Sequence, residues 1–327
     1  MKAITIKTFG GAEQLSITSI SDPQPGSDEI LVDVHATALN RADILQREGK
    51  YPPPPGASDI LGLEIAGIVN KVGSNETHWK YGDRVFGLIP GGGYAEKAVI
   101  HRDMLMKIPE GYSFEEAAAI PEVFLTAYQS LVWLAKLKKG ENILIHAGAS
   151  GVGTAAIQLA KAQGATVFVT ASKEKHNICL ELGADFAYDY RSGPFEEWVS
   201  QNSNNTGVHV IVDFIGGNYF DQNINCLARD GRLVQLATMG GKIVKDFNLG
   251  KILMKRISII GSTLRSRNLA YQIELTQEFY KNSIEKFNKR SLKPILDKVF
   301  DWKDVRIAHQ YMEENKNAGK IVLRIKE

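Results

Sequence analysis

The stretch ILIHAGASGVGTAAIQLAKAQGATVFVT, Ile143 to Thr170, constrains the fold more than any other part of the sequence. It opens as a short apolar run, breaks into glycines, continues as an Ala-rich helical segment closed by Gly164, and ends in a second apolar run. That is the sequence of a strand, a tight turn, a helix and a second strand. Glycines let the turn approach a pyrophosphate closely. The helix N-terminus that follows offers unpaired N–H groups and a positive dipole end. In the pattern G-x-G-x-x-G, Gly148 and Gly153 fit, while Ser150 stands where the middle glycine belongs. Ser is small and Gly151 follows it, so the turn can stay tight, although its detailed geometry is open.

Apolar runs continue at similar spacing: NILIH, TVFVT, FAYDY, VHVIVDF, RLVQLA and ISIIGS, between Asn142 and about Ser262. Six such runs separated by helical stretches predict a doubly wound, six-stranded parallel sheet with helices on both faces, an α/β Rossmann domain. The region before it reads differently. EILVDVHATALN, EIAGIVNKVG and DRVFGLI alternate apolar and polar residues and are punctuated by Gly and Pro. This predicts a mostly antiparallel β domain with one solvated face. The pattern turns helical from Ser113 to Leu137. After Ser266 come a helix whose apolar residues Leu269, Ile273, Leu275, Phe279, Ile284 and Phe287 recur mostly at helical spacing, a second helix, KDVRIAHQYMEEN, and a closing strand, GKIVLRIK. That end strand is expected to return to the first domain. The chain then divides into residues 1–123 with 267–327, and an inserted domain of residues 124–266, with a cleft between them.

The composition excludes several classes. A chain of 327 residues exceeds one ordinary core. Thirty-nine Lys and Arg against 37 Asp and Glu give a net charge of +2, so no global field recruits nucleic acid or a membrane surface. The two cysteines, Cys179 and Cys226, stand outside any metal-type cluster. The start MKAITIKTFG lacks a signal-peptide core, and apolar runs such as ISIIG fall far short of a membrane span, which predicts a cytoplasmic protein.

NAD-specific sites place Asp or Glu at the end of the second strand, where it binds the ribose hydroxyls. Here VTASKEK puts Thr170, Ala171 and Ser172 in that place, with Lys173 and Lys175 after them. A hydroxyl and ammonium groups suit the extra phosphate of NADP(H). The plainer alternative is a solvated helix start with Ser172 as its cap. Tyr51 precedes the stiff run PPPPG. It is either a ring held at a cleft rim, able to stack on a flat acceptor or donate to an oxyanion, or an exposed residue ending a helix. Asn40 reads as a turn former and His146 as a packed strand end. Glu64, in an apolar run, needs a partner such as Arg41, Arg84 or Lys71.

The blocks ALNRADILQREGKYPPPPGASDILGLEIAGIV, IPEVFLTAYQSL, HAGASGVGTAAIQLAK, VDFIGG, LRSR and NKNAGKIVL resemble, in order and over essentially the whole chain, those of zinc-free medium-chain dehydrogenases/reductases, specifically NADPH:quinone oxidoreductases. The resemblance implies that the first domain is GroES-like and catalytic. It implies that Asn40 and Tyr51 line the nicotinamide and substrate pocket, with Thr126 beside the nicotinamide. Gly148, Gly151 and Val152 would carry the pyrophosphate, and Ser172, Lys175 and Tyr190 the 2′-phosphate. Phe214 and Ile215 would flank the adenine side, Ala237 and Met239 the nicotinamide ribose, and Thr263, Leu264 and Arg265 the carboxamide end and pocket wall. Zinc alcohol dehydrogenases of similar layout carry Cys near Asn40 and His–Glu where this chain has Leu63–Glu64. Leu cannot ligate zinc and Asn is a poor ligand. An alcohol needs help losing its proton, whereas a quinone or activated enone takes hydride readily. The expected function is NADPH-dependent reduction of ortho- or para-quinones. The rivals are an enone or enoyl reductase and an NADPH-binding protein with little turnover. The uncharged run Ile257–Ser262, as the last strand of the sheet, is an edge expected to join two copies into a homodimer.

Overall fold

The structure, a computed structural model, describes residues 1–326. The chain divides into two compact units, Met1–Leu125 with Arg265 onward, and Thr126–Leu264.

The second unit contains β1 (Asn142–Ile145), β2 (Thr166–Ala171), β3 (Phe186–Asp189), β4 (Val208–Asp213), β5 (Leu227–Gln235) and β6 (Ser258–Gly261). They form one sheet in the order β3-β2-β1-β4-β5-β6, and every pairing is parallel. All six expected strands are present. β1 is central, with Ile143 opposite Val167 on one side and Val210 on the other. Ile143, Leu144 and Ile145 are therefore fully buried, which is why the run is continuously apolar. Leu144, Phe168, Val199, Ile211, Ile224 and Leu233 share one core. The strand order reverses at β1, so the loops after β1 and β4 diverge and open a crevice at the C-terminal edge of the sheet.

The first unit is built on a seven-stranded sheet in which Glu29–Ala38 pairs antiparallel with Glu64–Val72, Lys97–His101 and Lys320–Arg324. The closing strand thus rejoins the first domain, with Val322 opposite Ala38. Leu296–Asp301 runs parallel to that strand, linked to it through the helix Val305–Glu313. Ile4, Leu15, Leu39, Leu61, Trp302, Met312 and Leu323 pack in its core. The helix Leu269–Asn288 is capped by Asn268, which accepts from the Tyr271 amide. Its buried stripe is Leu275, Thr276, Phe279, Ser283 and Phe287, while Leu269 is exposed. Two small hydroxyl residues, Thr276 and Ser283, thus complete the stripe, while Ile273 and Ile284 are only partly buried. One helical stretch, Phe114–Leu134, is long and apolar enough to cross a membrane by length and composition, but it is mostly buried within the protein. Its apolar surface serves as core, and it is longer than the apolar runs noted in the sequence.

A buried polar chain crosses the first unit. Arg47 Nη1 lies 3.2 Å from His309 Nδ1, and Tyr94 Oη lies 3.2 Å from His309 Nε2. Arginine can only donate, so Nδ1 accepts and the ring is neutral with its proton on Nε2. Burial, reinforced by the Arg47 charge, pushes the His309 pKa down to about 3. The unfolded ring has its ordinary value of about 6.5, so acid favours the unfolded chain. The contribution is intact above pH 7 and is lost progressively below about 6.5. It amounts to about 2 kcal/mol by pH 5. Urea unfolding at pH 7 and pH 5 should show a smaller acid loss in H309Q than in the wild type. Equal losses would contradict this protonation state.

Candidate active site

In the second unit the loop after β1 is shaped by close approaches. Ala147 adopts φ +49° and leads into Gly148. A Cβ on Gly148 would lie 2.8 Å from Val169 Cβ, and one on Gly153 would lie 2.3 Å from the Ala147 carbonyl oxygen. Glycine is required at both places for the turn and helix to pack this closely. Ser150, the departure from the glycine pattern, caps the helix Gly151–Ala162: its Oγ accepts from the Gly153 amide at 3.0 Å. The Gly151 and Val152 amides stand in the first turn, where the helix has no carbonyl to offer them. They are the donors an anion would meet.

The remaining sequence-predicted residues of this unit fall at the C-terminal edge of the same sheet. Ser172 and Lys175 follow β2, and Tyr190 follows β3, whose Asp189 pairs with Ala171 of β2. Ser172 is buried and Tyr190 is 44% exposed. Beside them stands a cation the sequence reading missed. Arg191 lies 5.6 Å from the Tyr190 ring centroid and pairs with Glu174 at 3.1 Å. Its only sequence signal was its place next to Tyr190. Phe214 and Ile215 follow β4, and Ala237 and Met239 follow β5; the two loops are joined by bonds from the Met239 amide to the Phe214 carbonyl and from the Gly240 amide to the Ile215 carbonyl. Thr263 and Leu264 follow β6. Thr126, in the helix Pro121–Tyr128, keeps a buried Oγ1 with no hydrogen-bond partner among the described residues, and a six-residue π-helical turn begins three residues later. His146 is packed: Nδ1 meets Thr170 Oγ1 at 2.9 Å and Nε2 meets Asn223 Oδ1 at 2.7 Å. Burial pushes both cysteine thiols up to about 12, which leaves neither as a nucleophile at neutral pH.

The first unit holds a second group of the sequence-predicted residues. Lys320 Nζ bonds Glu64 Oε1, Asn40 Oδ1 and the Leu39 carbonyl, each at 2.7 Å. Asn40 Nδ2 donates to Glu64 Oε1 at 2.9 Å, and the Glu122 amide donates to Glu64 Oε2 at 2.8 Å. The partner of Glu64 is therefore none of Arg41, Arg84 and Lys71. Arg41 binds Asn315 and the Met312 carbonyl, and Arg84 binds the Tyr112 carbonyl. Lys320 lies on the closing strand, so only the strand pairing reveals it. Asn40 does end its strand at a helix start, where Asp43 Oδ2 accepts from its amide at 2.7 Å. Its side-chain polar atoms are committed to Glu64, Lys320 and the Ala38 carbonyl, so it holds this network in place.

Tyr51 is half-buried, with the Arg265 guanidinium 5.4 Å from its ring centroid. Burial and the Glu122 carboxyl raise its pKa, and Arg265 opposes them. Arg265 donates from Nε to the Pro90 carbonyl and from Nη2 to Gln46 Oε1, both at 2.8 Å, and forms part of the wall of a cavity of about 580 Å³ with Pro54, Ala57, Ile60 and Ile89. Burial raises two carboxyls here, Asp43 to about 6 and Glu122 to about 7. Among the described residues no group of three or more His, Cys, Asp and Glu is arranged to hold a metal ion. Leu63 is buried beside Glu64, whose carboxylate oxygens are taken by the bonds above.

Residues 26–110 match the alcohol dehydrogenase GroES-like domain, and residues 151–280 match the zinc-binding dehydrogenase domain. Human quinone oxidoreductase is 30% identical over 327 residues, covering 99% of this chain and 97% of its own. The crystal structure of Pseudomonas syringae quinone oxidoreductase superimposes with a TM-score of 0.88 at 31% identity, covering 99% of each chain. The CurK enoyl reductase gives the same TM-score at 29% identity, covering 99% of this chain and 98% of its own. A mycobacterial relative solved as a complex with NADPH also gives 0.88, at 27% identity, covering 99% of this chain and all of its own. The fold and these matches define a medium-chain dehydrogenase/reductase. Within that class, the chain belongs to the quinone oxidoreductase family, and it is an oxidoreductase with a nicotinamide-cofactor site.

Replacing Gly153 by Ala drives a Cβ into backbone, which cannot rotate away. We expect G153A to cost roughly 1–3 kcal/mol of stability and to weaken dinucleotide binding, read by thermal melts and calorimetric titration with NADPH. Unchanged stability and affinity would show that the loop does not depend on this approach.

Proposed function

We propose that this chain reduces quinones with NADPH and does so without zinc. When bound, the cofactor supplies a hydride to the acceptor. The single observation that carries the metal-free part is the Asn40–Glu64–Lys320 cluster. In zinc alcohol dehydrogenases the corresponding places hold metal ligands. Here an ammonium group neutralises the one carboxylate, and Asn40 is bonded to both partners. A site of this kind suits an acceptor that is already electron-poor.

The residues available to hold the dinucleotide fit its charges. The Gly151 and Val152 amides would bind the pyrophosphate. Thr126, with its unpartnered Oγ1, would meet the nicotinamide. Ser172, Lys175 and Tyr190, joined by Arg191, would hold the 2′-phosphate. Neither Thr170, Ala171 nor Ser172 supplies the carboxylate an NAD site uses, which favours NADPH. Phe214, Ile215, Ala237, Met239, Thr263, Leu264 and Arg265 complete the proposed contacts. A second reading, reduction of an enone or enoyl thioester, is supported by the likeness to the CurK enoyl reductase. It differs in delivering the proton to carbon, and its product is a saturated carbonyl compound rather than a hydroquinone. We also propose that two copies pair through β6, the uncharged outer strand of its sheet, where Ile259 is 42% exposed.

Tyr51 tests the acceptor side. Y51A should lower kcat/KM for a planar ortho-quinone roughly tenfold, a loss of about 1.4 kcal/mol of stacking. Its NADPH affinity should stay near that of the wild type, because the proposed pyrophosphate contacts lie in the other unit. Y51F separates two roles. Retained activity assigns stacking, and a further fall of roughly 10²-fold assigns the hydroxyl as an oxyanion donor. An unchanged kcat/KM in Y51A would contradict a place for Tyr51 in the acceptor site.

A further inference from the structure

Adding a hydride to a neutral quinone leaves the product one proton short. Some group on the protein must supply it if water is kept from the reacting atoms. The first unit buries three carboxyls close together, and two of them are fully committed. Asp43 accepts from the Asn40 amide at Oδ2 and from the Gly62 amide at Oδ1. Glu64 accepts from Lys320, Asn40 Nδ2 and the Glu122 amide. Both are essentially inaccessible, at 1% and 0% exposure.

Glu122 differs on both counts. Its backbone is tied to Glu64, but no side chain or amide donates to its own carboxyl among the described residues. It is also the only one of the three that is partly accessible. The charged and titratable groups around it are Glu64 and Asp43, which oppose its ionisation, and Lys320 and Arg265, which favour it; Tyr51 also feels its charge. A carboxyl without donors, largely desolvated and beside the Glu64 and Asp43 carboxyls, keeps its proton to an unusually high pH.

A second, independent observation points to the same place. Arg265 is 8% exposed and uses Nε and Nη2 on Pro90 and Gln46, but its buried Nη1 has no hydrogen-bond partner among the described residues. A guanidinium N–H left empty costs free energy unless an acceptor fills it. The acceptor that suits it is an oxygen gaining negative charge.

We propose that Glu122 is the acid that protonates the reduced acceptor, whose oxygen is held by Arg265 Nη1 against the face of Tyr51. This rests on the hydride-transfer reading above. When bound, the cofactor would supply hydride to one quinone oxygen; the ring electrons rearrange and the negative charge settles on the other oxygen, the one at Arg265 Nη1. The Glu122 O–H bond breaks as the new O–H bond forms there. Quinone, hydride and one proton give hydroquinone, and Glu122 remains as a carboxylate next to Arg265 and Lys320. Solvent reprotonates it through its accessible edge. Tyr51 is the weaker acid, since its hydroxyl is raised above the ordinary phenol value whereas Glu122 stands at about 7.

The test is E122Q, which keeps the shape and removes the acid. With NADPH and 9,10-phenanthrenequinone, wild-type kcat should fall as pH rises through about 7, where Glu122 loses its proton. E122Q should be slower by roughly 10²-fold at pH 6 and nearly flat with pH. E122D should recover part of the rate and the sloping profile. In the ligand-free protein, infrared titration should show a protonated carboxyl band that disappears near pH 7 and is missing from E122Q. Wild-type rate and profile in E122Q would overturn the assignment. If the wild type reduces no quinone, the functional reading fails, and the infrared titration still decides: no band lost in E122Q would overturn the assignment by itself.

Discussion

The buried pair of Lys320 and Glu64 is the interaction on which the first unit depends. Charges removed from water cost several kcal/mol each unless their partners are complete. Here they are: the ammonium has three oxygen acceptors, and the carboxylate accepts from Lys320, Asn40 and the Glu122 amide. The pair joins the closing strand to the strand that starts at Glu64, the strand end at Asn40 and the helix start at Glu122. Segments from both ends of the chain are thereby fixed around one point. Two further carboxyls of this unit are placed through it. Glu122 is placed by its amide bond to Glu64, and Asp43 by its bond to the Asn40 amide.

The second unit is organised by a different constraint. Parallel strands deliver every connecting loop to the same edge, and the reversal of strand order at β1 separates two of them. The loops after β1 through β6 therefore gather residues from six distant places without any direct contact being needed to align them. Ser150 shows how a departure from a glycine pattern is absorbed. A glycine there would leave the Gly153 amide without a partner, and serine supplies one. The anion-facing amides remain those of Gly151 and Val152.

Much of this architecture was legible in the sequence because it is carried by local periodicity. β1 to β6 announce themselves as apolar runs, since a central parallel strand is buried on both faces. In the first unit the alternation is only partial: Asp33 and His35 interrupt buried neighbours on Glu29–Ala38, whereas Arg84–Leu88 is buried from Val85 onward. What stayed hidden depends on long-range pairing. Glu64 advertises a missing partner, but Lys320 becomes that partner only when the last strand docks beside Glu29–Ala38. Glu122 looks like an ordinary acidic residue in the first turn of a helix until Glu64 is placed against its backbone. Arg191 acquires meaning from Tyr190 and Glu174, brought together by the pairing of β2 with β3. On the helix Leu269–Asn288, Thr276 and Ser283 are buried where only local packing shows that small hydroxyl residues fit.

The central claim is that a nicotinamide enzyme with an ammonium–carboxylate pair at the place of the zinc ligands reduces electron-poor acceptors. It is tested most directly by following cofactor oxidation and products with protein dialysed against a strong chelator. The acceptors are an ortho-quinone, a para-quinone, an enone and an enoyl thioester, each with NADPH and with NADH, and a primary alcohol is tried with NADP⁺. The account predicts hydroquinone formation, faster with NADPH than with NADH and unchanged by the chelator. Alcohol oxidation that the chelator abolishes, with no reduction of any quinone, would contradict it.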